Sequence, residues 1–422
     1  MNHPQRYATR LFAQTVVLLA LWALAALLTA LKFLAPDDPL ATAFGYAQAA
    51  PLTDTLLTLA VFSGLLGAGL WMCAEYPPTD ARLLRVGSAL WAALVILAPL
   101  TGLFGLLEAR AIVLPPLLAL LLLLGLALLV AGVVRRARHA PLIQAWAVGM
   151  TLAGAGVAVS LIAPADPLHD AALGALAQGL LTGVGLPLAA VAIAFWLMHR
   201  FSNVTLGWAE RGAFSAGGMI ALAGALVSLN SALPAGAPEW VGTVGRVTLF
   251  AAPVLTAVFA AHAYRALTDR NASRTLAAQW VSLAVILFLL AFGLLGAAQA
   301  LPGVRVLSSG TRLSDVQHTL MLFAAAAVVL GMVNQAGAEA RGGAKITGFI
   351  PFWLVTFGLL GGGLALAAAG VVQVVVERQL SVGYLDTQTL LTPLYGGWAF
   401  GTGALALGLW IYTLSAVLRR PR

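Results

Sequence analysis

Six histidines, one cysteine and a few carboxylates are the groups with which this chain could hold a metal or move a proton. His3 lies in the N-terminal tail, His139 behind the basic Arg135–Arg138 cluster, and His169 between Asp166 and Asp170. His199 sits against Arg200, and His262 has Tyr264 and Arg265 nearby. Only His318, in Asp315-Val-Gln-His-Thr319, enters a hydrophobic stretch close to its start. A bis-imidazole heme needs two axial histidines at one depth, and copper wants several imidazoles together. One candidate falls short of both, so no metal site built by this chain alone is expected. Cys73, the one cysteine, excludes an internal disulfide and a cysteine-held cluster. No Gly-flanked serine nucleophile with His and Asp occurs, nor any zinc or phosphate-loop spacing, so no residue is assigned a catalytic role. Asp54 and Asp315 are the deepest acids. Each is expected about one turn inside a hydrophobic run, where a helix N-terminus favours a carboxylate.

The elements that carry these groups follow from composition. The chain is 61% hydrophobic and 9% charged, and the charges fall between the apolar runs. Runs of about twenty apolar residues suit membrane-crossing helices. They lie near 11–33, 52–73, 83–107, 111–134, 141–163, 171–198, 211–233, 240–268, 275–301, 315–337, 346–372 and 392–417. The expectation is an all-α polytopic membrane protein of about twelve spans, forming a single integral membrane domain over 1–422 with no soluble domain. The first run is too long for a removed signal peptide and lacks a small-residue cleavage site.

Orientation follows from Lys and Arg, which favour the cytoplasmic side. With the N-terminus inside, seventeen of the 23 basic residues fall in inner segments. The outer ones are Lys32, Arg110, Arg246, Arg305, Arg312 and Arg378. Both termini are therefore expected in the cytoplasm, with the chain in a bacterial-type inner membrane. The net charge of +8 is spread over inner loops that face anionic headgroups, and it implies lipid rather than a nucleic-acid partner. Gly-rich segments such as Leu359-Leu-Gly-Gly-Gly-Leu364 suit close helix approach.

Twelve spans with both termini inside resemble the plan of the heme-copper oxidase subunit I superfamily. Local patterns resemble its C-type (cbb-type) branch and the related nitric oxide reductases. Phe44-Gly-Tyr-Ala-Gln-Ala-Ala-Pro-Leu-Thr-Asp-Thr55 is similar to that family's Phe-Gly-Arg-x-Arg-Pro-Leu-His-Thr-Asn, with two more residues before Pro-Leu. Thr53 then falls where the family has its low-spin heme histidine. Asn230-Ser-Ala-Leu-Pro-Ala-Gly-Ala-Pro-Glu-Trp-Val-Gly-Thr-Val-Gly245 is similar to the stretch after the family's copper-binding histidine pair, and the pair is absent. The sixth span, from Gln178-Gly-Leu-Leu-Thr-Gly-Val-Gly185 onward, lacks its copper histidine at Leu180 or its neighbours. Ser314-Asp-Val-Gln-His-Thr-Leu-Met-Leu-Phe-Ala324 resembles the segment carrying His-x-His, and keeps only His318 as a residual heme-ligand position.

Every departure falls on a ligand. What the resemblance implies is a degenerate paralogue without heme or copper, a non-catalytic subunit of a respiratory electron-transfer complex that scaffolds partners. Those partners would be other membrane subunits, cytochrome-type ones among them, with lipid and a quinone as further ligands. A cofactor-bearing oxidase or reductase subunit that holds heme is one alternative. A transporter is another, although no charged midplane group marks a substrate path and no half-repeat stands out. Within the family plan, Asp54 and His318 are expected near the outer ends of neighbouring spans. A polar contact between them, direct or through water, would tie two helices together.

Overall fold

Inside a bilayer each backbone N–H and C=O must find its partner within the protein, and a helix does this within one segment. The described segments meet that demand with helices. A computed structural model describes residues 3–35, 46–76, 81–103, 114–137, 139–162, 167–232, 243, 247, 250–269, 275–301, 304, 311–342 and 347–418, and no strand occurs among them. The helices are α1 (His3–Leu34), α2 (Tyr46–Cys73), α3 (Arg82–Leu103), α4 (Pro116–Arg136), α5 (Pro141–Ser160) and α6 (Pro167–Gln178). They continue with α7 (Leu186–Phe201), α8 (Leu206–Ala232), α9 (Ala252–Leu267), α10 (Leu276–Phe288) and α11 (Leu295–Ala300). The last three are α12 (Arg312–Ala340), α13 (Phe349–Gln373) and α14 (Tyr384–Leu418).

Three π-helical segments join or extend these elements. Gly179–Gly185 links α6 to α7, Leu289–Leu294 links α10 to α11, and Val374–Gln379 follows α13. Ten helices among the described residues are long and apolar enough to cross a membrane, with α6–α7 and α10–α11 each counted as one. The chain is thus an all-α, multi-pass membrane protein. The stretch expected at 211–233 forms α8, which carries Glu210 and Arg211 in its first turns. The stretch expected at 240–268 is described chiefly as α9, 16 residues long. These two fall outside the ten.

Local sequence explains the boundaries. α4 opens on Pro115-Pro116, where a missing N–H does no harm, and closes on Arg135 and Arg136, whose charges suit a helix C-terminus. α5 likewise has proline at its first position. Thr275 caps α10, its hydroxyl accepting from the Ala278 N–H at 3.2 Å.

The core is organised around α2, α7 and α12. The apolar stretch of α2 is buried along its whole length, whereas that of α13 is mostly exposed to the surroundings. α2 touches α1, α3, α4, α5, α7 and α12. Two indoles fasten its neighbours to it. Trp91 of α3 donates to Ser63 Oγ at 2.8 Å, and Trp146 of α5 donates to the Leu65 carbonyl at 2.9 Å. Where helices come closer still, glycine makes the room. A Cβ on Gly224 of α8 would overlap the carbonyl of Gly183 in the first π segment, and one on Gly401 of α14 would overlap the backbone of Gly362 in α13. Backbone-on-backbone packing of this kind replaces the hydrophobic drive that lipid cannot supply between helices. α14 also lies along α1, where Thr413 donates to the Val16 carbonyl at 3.0 Å.

Candidate functional site

The approach of α1, α2, α12, α13 and α14 leaves a cavity of about 550 Å³, with Leu114 and Leu122 added from the start and middle of the α4 region and Gln178 and Thr182 from the α6–π join. It sits toward the end of the bundle where α2 and α12 begin. Its wall has two characters. Asp54, Thr53, Gln178, Arg312, Asp315 and His318 supply polar groups, while Trp22, Leu122, Leu359, Leu366, Trp398 and Leu405 supply an apolar face. Gly358, Gly362 and Gly363 of α13 border it with bare backbone. Gly362 and Gly363 belong to the Gly-rich run and Gly358 precedes it; Gly358 and Gly362 also bring α13 against the backbone of α14.

Asp54 lies on α2 more than two turns after Tyr46, since the helix begins well before the apolar run does. The helix-start role expected for it therefore does not apply, because the dipole effect fades within the first turn. Its carboxylate is accessible from the cavity. Among the described residues it makes no hydrogen bond and no ion pair, although His318 and Asp315 are near enough to act on it electrostatically. Asp315 does occupy the first turn of α12, as expected, and pairs with Arg312 Nη1 at 3.2 Å. The Arg312 guanidinium also stands 4.1 Å from the centre of the Phe33 ring.

His318 lines the same cavity, and its Nδ1 lies 3.2 Å from Gln178 Nε2. Asp54 and His318 thus face one space, but no direct hydrogen bond or ion pair joins them among the described residues. Thr55, adjacent to Asp54, is buried, and its Oγ1 has no partner.

Thr53 lines the cavity and donates to the Ala50 carbonyl at 2.6 Å. Leu180 lies in the π segment and is not among the lining residues, which there are Gln178 and Thr182. The side chains of Asn230, His3 and His169 lie outside the described residues, as does Arg246. His139, His199 and His262 are not among the residues that line the cavity. His199 Nδ1 meets the Val204 carbonyl at 2.8 Å, and His262 packs among Phe195 and Trp208. Cys73 is buried and free at the opposite end of α2.

Sequence reading missed Gln178, Thr182, Arg312 and Thr55 as members of this site. Gln178 carried a usable signal as a lone amide at the head of a Gly-rich span. The π segment that follows it had none.

A heme or copper site of the kind the resemblance implies can be tested against these donors. The cavity wall presents one imidazole and neither thiolate nor thioether. Among the described residues no group of three or more His, Cys, Asp or Glu side chains converges as metal ligands would. Two axial imidazoles, or a copper set, are not available there. The donor set does not fit either group.

No protein-family model matches this chain, and no curated protein matches it in sequence.

Proposed function

We propose that the chain is a heme-free and copper-free relative of the heme-copper oxidase subunit I. In this reading it is non-catalytic on its own, and its helical body scaffolds partner subunits of a respiratory electron-transfer complex. The proposal includes twelve spans with both termini in the cytoplasm, on the strength of the seventeen-to-six distribution of basic residues.

The supporting observation is that Thr53 and His318, the positions that match the family's heme ligands, line one cavity with a single imidazole, while the helices close elsewhere. The sixth-span π segment and α8 meet backbone to backbone at Gly183 and Gly224, and α2 meets α12 with Gly64 seated under Val329. A macrocycle wedged between helices needs a gap wider than such contacts. The cavity that does exist lies on the α1, α13 and α14 side of α2 and α12, and it offers a single imidazole. Among the described residues, no side chain of α8 lines it.

The test is purification from membranes in mild detergent, followed by metal analysis, visible spectroscopy and identification of copurifying chains. The expected result is iron and copper well below one per chain, no Soret band, and stoichiometric membrane subunits of an electron-transfer complex. Heme near one per chain would overturn the cofactor-free reading. Isolation as a lone chain from gently solubilised membranes would overturn the scaffolding role.

A further inference from the structure

We propose that the cavity between α1, α2, α12, α13 and α14 binds a small organic cation, an ammonium with apolar substituents, with Asp54 as its counter-ion. This goes beyond the scaffolding role and does not depend on it.

Charge sets the class of ligand. Arg312 is engaged with Asp315 at 3.2 Å and with the Phe33 ring. His318 Nδ1 is within hydrogen-bond distance of Gln178 Nε2, at 3.2 Å. Asp54 is left as a carboxylate on the cavity wall with no ion pair among the described residues. A carboxylate without a counter-charge on a largely apolar wall is unfavourable, and a cation brought to it relieves that. The neighbouring Thr55 hydroxyl, buried and without a hydrogen-bond partner, is a second polar group left for a ligand to satisfy. An anion would meet the unpaired Asp54 carboxylate, and a neutral molecule would leave it unmatched.

Size and wall chemistry narrow the class further. A bare metal ion is held by a shell of oxygens at roughly 2 to 2.6 Å. A cavity of about 550 Å³ is too wide for that, and matches the range of small-molecule sites. Trp22 and Trp398 line it, and indole faces attract cations whose charge is spread over methyl or methylene groups. Leu359 and Leu366 cover the remaining apolar surface of such a ligand. Carboxylate, hydroxyls and indoles around one space together select an ammonium over a hydrated inorganic ion.

The experiment compares choline with its neutral isostere 3,3-dimethylbutan-1-ol, and with sodium chloride at equal concentration, on the purified full chain in detergent. Thermal unfolding and intrinsic tryptophan fluorescence are the readouts. Choline is expected to raise the melting temperature and change the fluorescence saturably, while the isostere and sodium chloride do neither. Asp54→Asn is expected to weaken choline binding by about tenfold or more, the scale of losing one partner of a desolvated charge pair. Asp386→Asn, on the exposed first turn of α14, is expected to leave binding unchanged. Equal effects of choline and the isostere, equal effects of choline and sodium chloride, or full binding by Asp54→Asn would each overturn the proposal. The choline and isostere comparison uses the unaltered chain, so it decides the matter even if Asp54→Asn fails to fold.

Discussion

The two ends of α2 and α12 handle polar groups in opposite ways. At the end holding Cys73 and Ala340, several strong groups are engaged. Arg136 donates through Nε and Nη2 to the Tyr76 carbonyl at 3.0 and 2.7 Å, Arg200 pairs with Glu75, and Trp71 donates to Glu339 Oε2 at 3.1 Å. Gln335 adds a further hydrogen bond to Glu339 at 3.0 Å. At the other end Asp54 and Thr55 face each other's surroundings without partners, across a cavity that the glycines of α13 keep open. The first end is built to hold helices in register. The second retains unsatisfied polarity, which is stable only if something else completes it. Satisfied polar networks fix structure, and incomplete ones mark places where a ligand adds free energy.

Several measurements would break or sharpen this contrast. The largest effect expected is all-or-none. A cysteine at Arg135 should react with a membrane-impermeant maleimide only from the cytoplasmic side, and one at Ser381, in the exposed turn before α14, only from the opposite side. Labelling of both from one side would break the assignment of the two ends. Next in size, Gly401→Val should destabilise by about 3 kcal/mol, because overpacking against fixed backbone is costly. Thermal unfolding reads this, and a change below about 1 kcal/mol would mean that α13 and α14 can part easily. At the engaged end, Arg136→Met should lose about 2 kcal/mol, the scale of hydrogen bonds from a charged donor. At the cavity end, His318→Leu should lose about 1 kcal/mol through its bond to Gln178. The smallest effect belongs to Asp54→Asn, which should leave stability unchanged or raise it slightly, since an unpaired charge is removed. A loss as large as that of Arg136→Met would show that Asp54 is held as firmly as the engaged end, and the contrast would fail.

The helices were legible because twenty apolar residues in a row have few other fates. Expected runs at 141–163 and 346–372 appear as Pro141–Ser160 and Phe349–Gln373. The start of α2 was harder to see. Tyr46-Ala-Gln-Ala-Ala-Pro51 is helical although polar and proline-bearing, so Asp54 looked terminal when it is internal. The π segments were invisible, since widening a helix by one residue per turn leaves no compositional trace. The cavity was only half legible. Asp54 and His318 stood out as ionisable groups in apolar runs, and both line it. Gln178, Arg312 and Thr55 join them only once α6 and the five main helices are assembled, and no local pattern foretells where they meet.

The order in which the cavity walls are made has a consequence for biosynthesis. One part of the wall comes from residues 22–59 and another from 312–405, with little from the chain between. A chain emerging N-terminus first inserts α1 and α2 long before α13 and α14 exist. During that interval Asp54 and Thr55 must face lipid, water or a chaperone in place of their final surroundings. The site therefore closes last, and a ribosome stalled before residue 405 would leave a chain with most of its helices and no enclosed site.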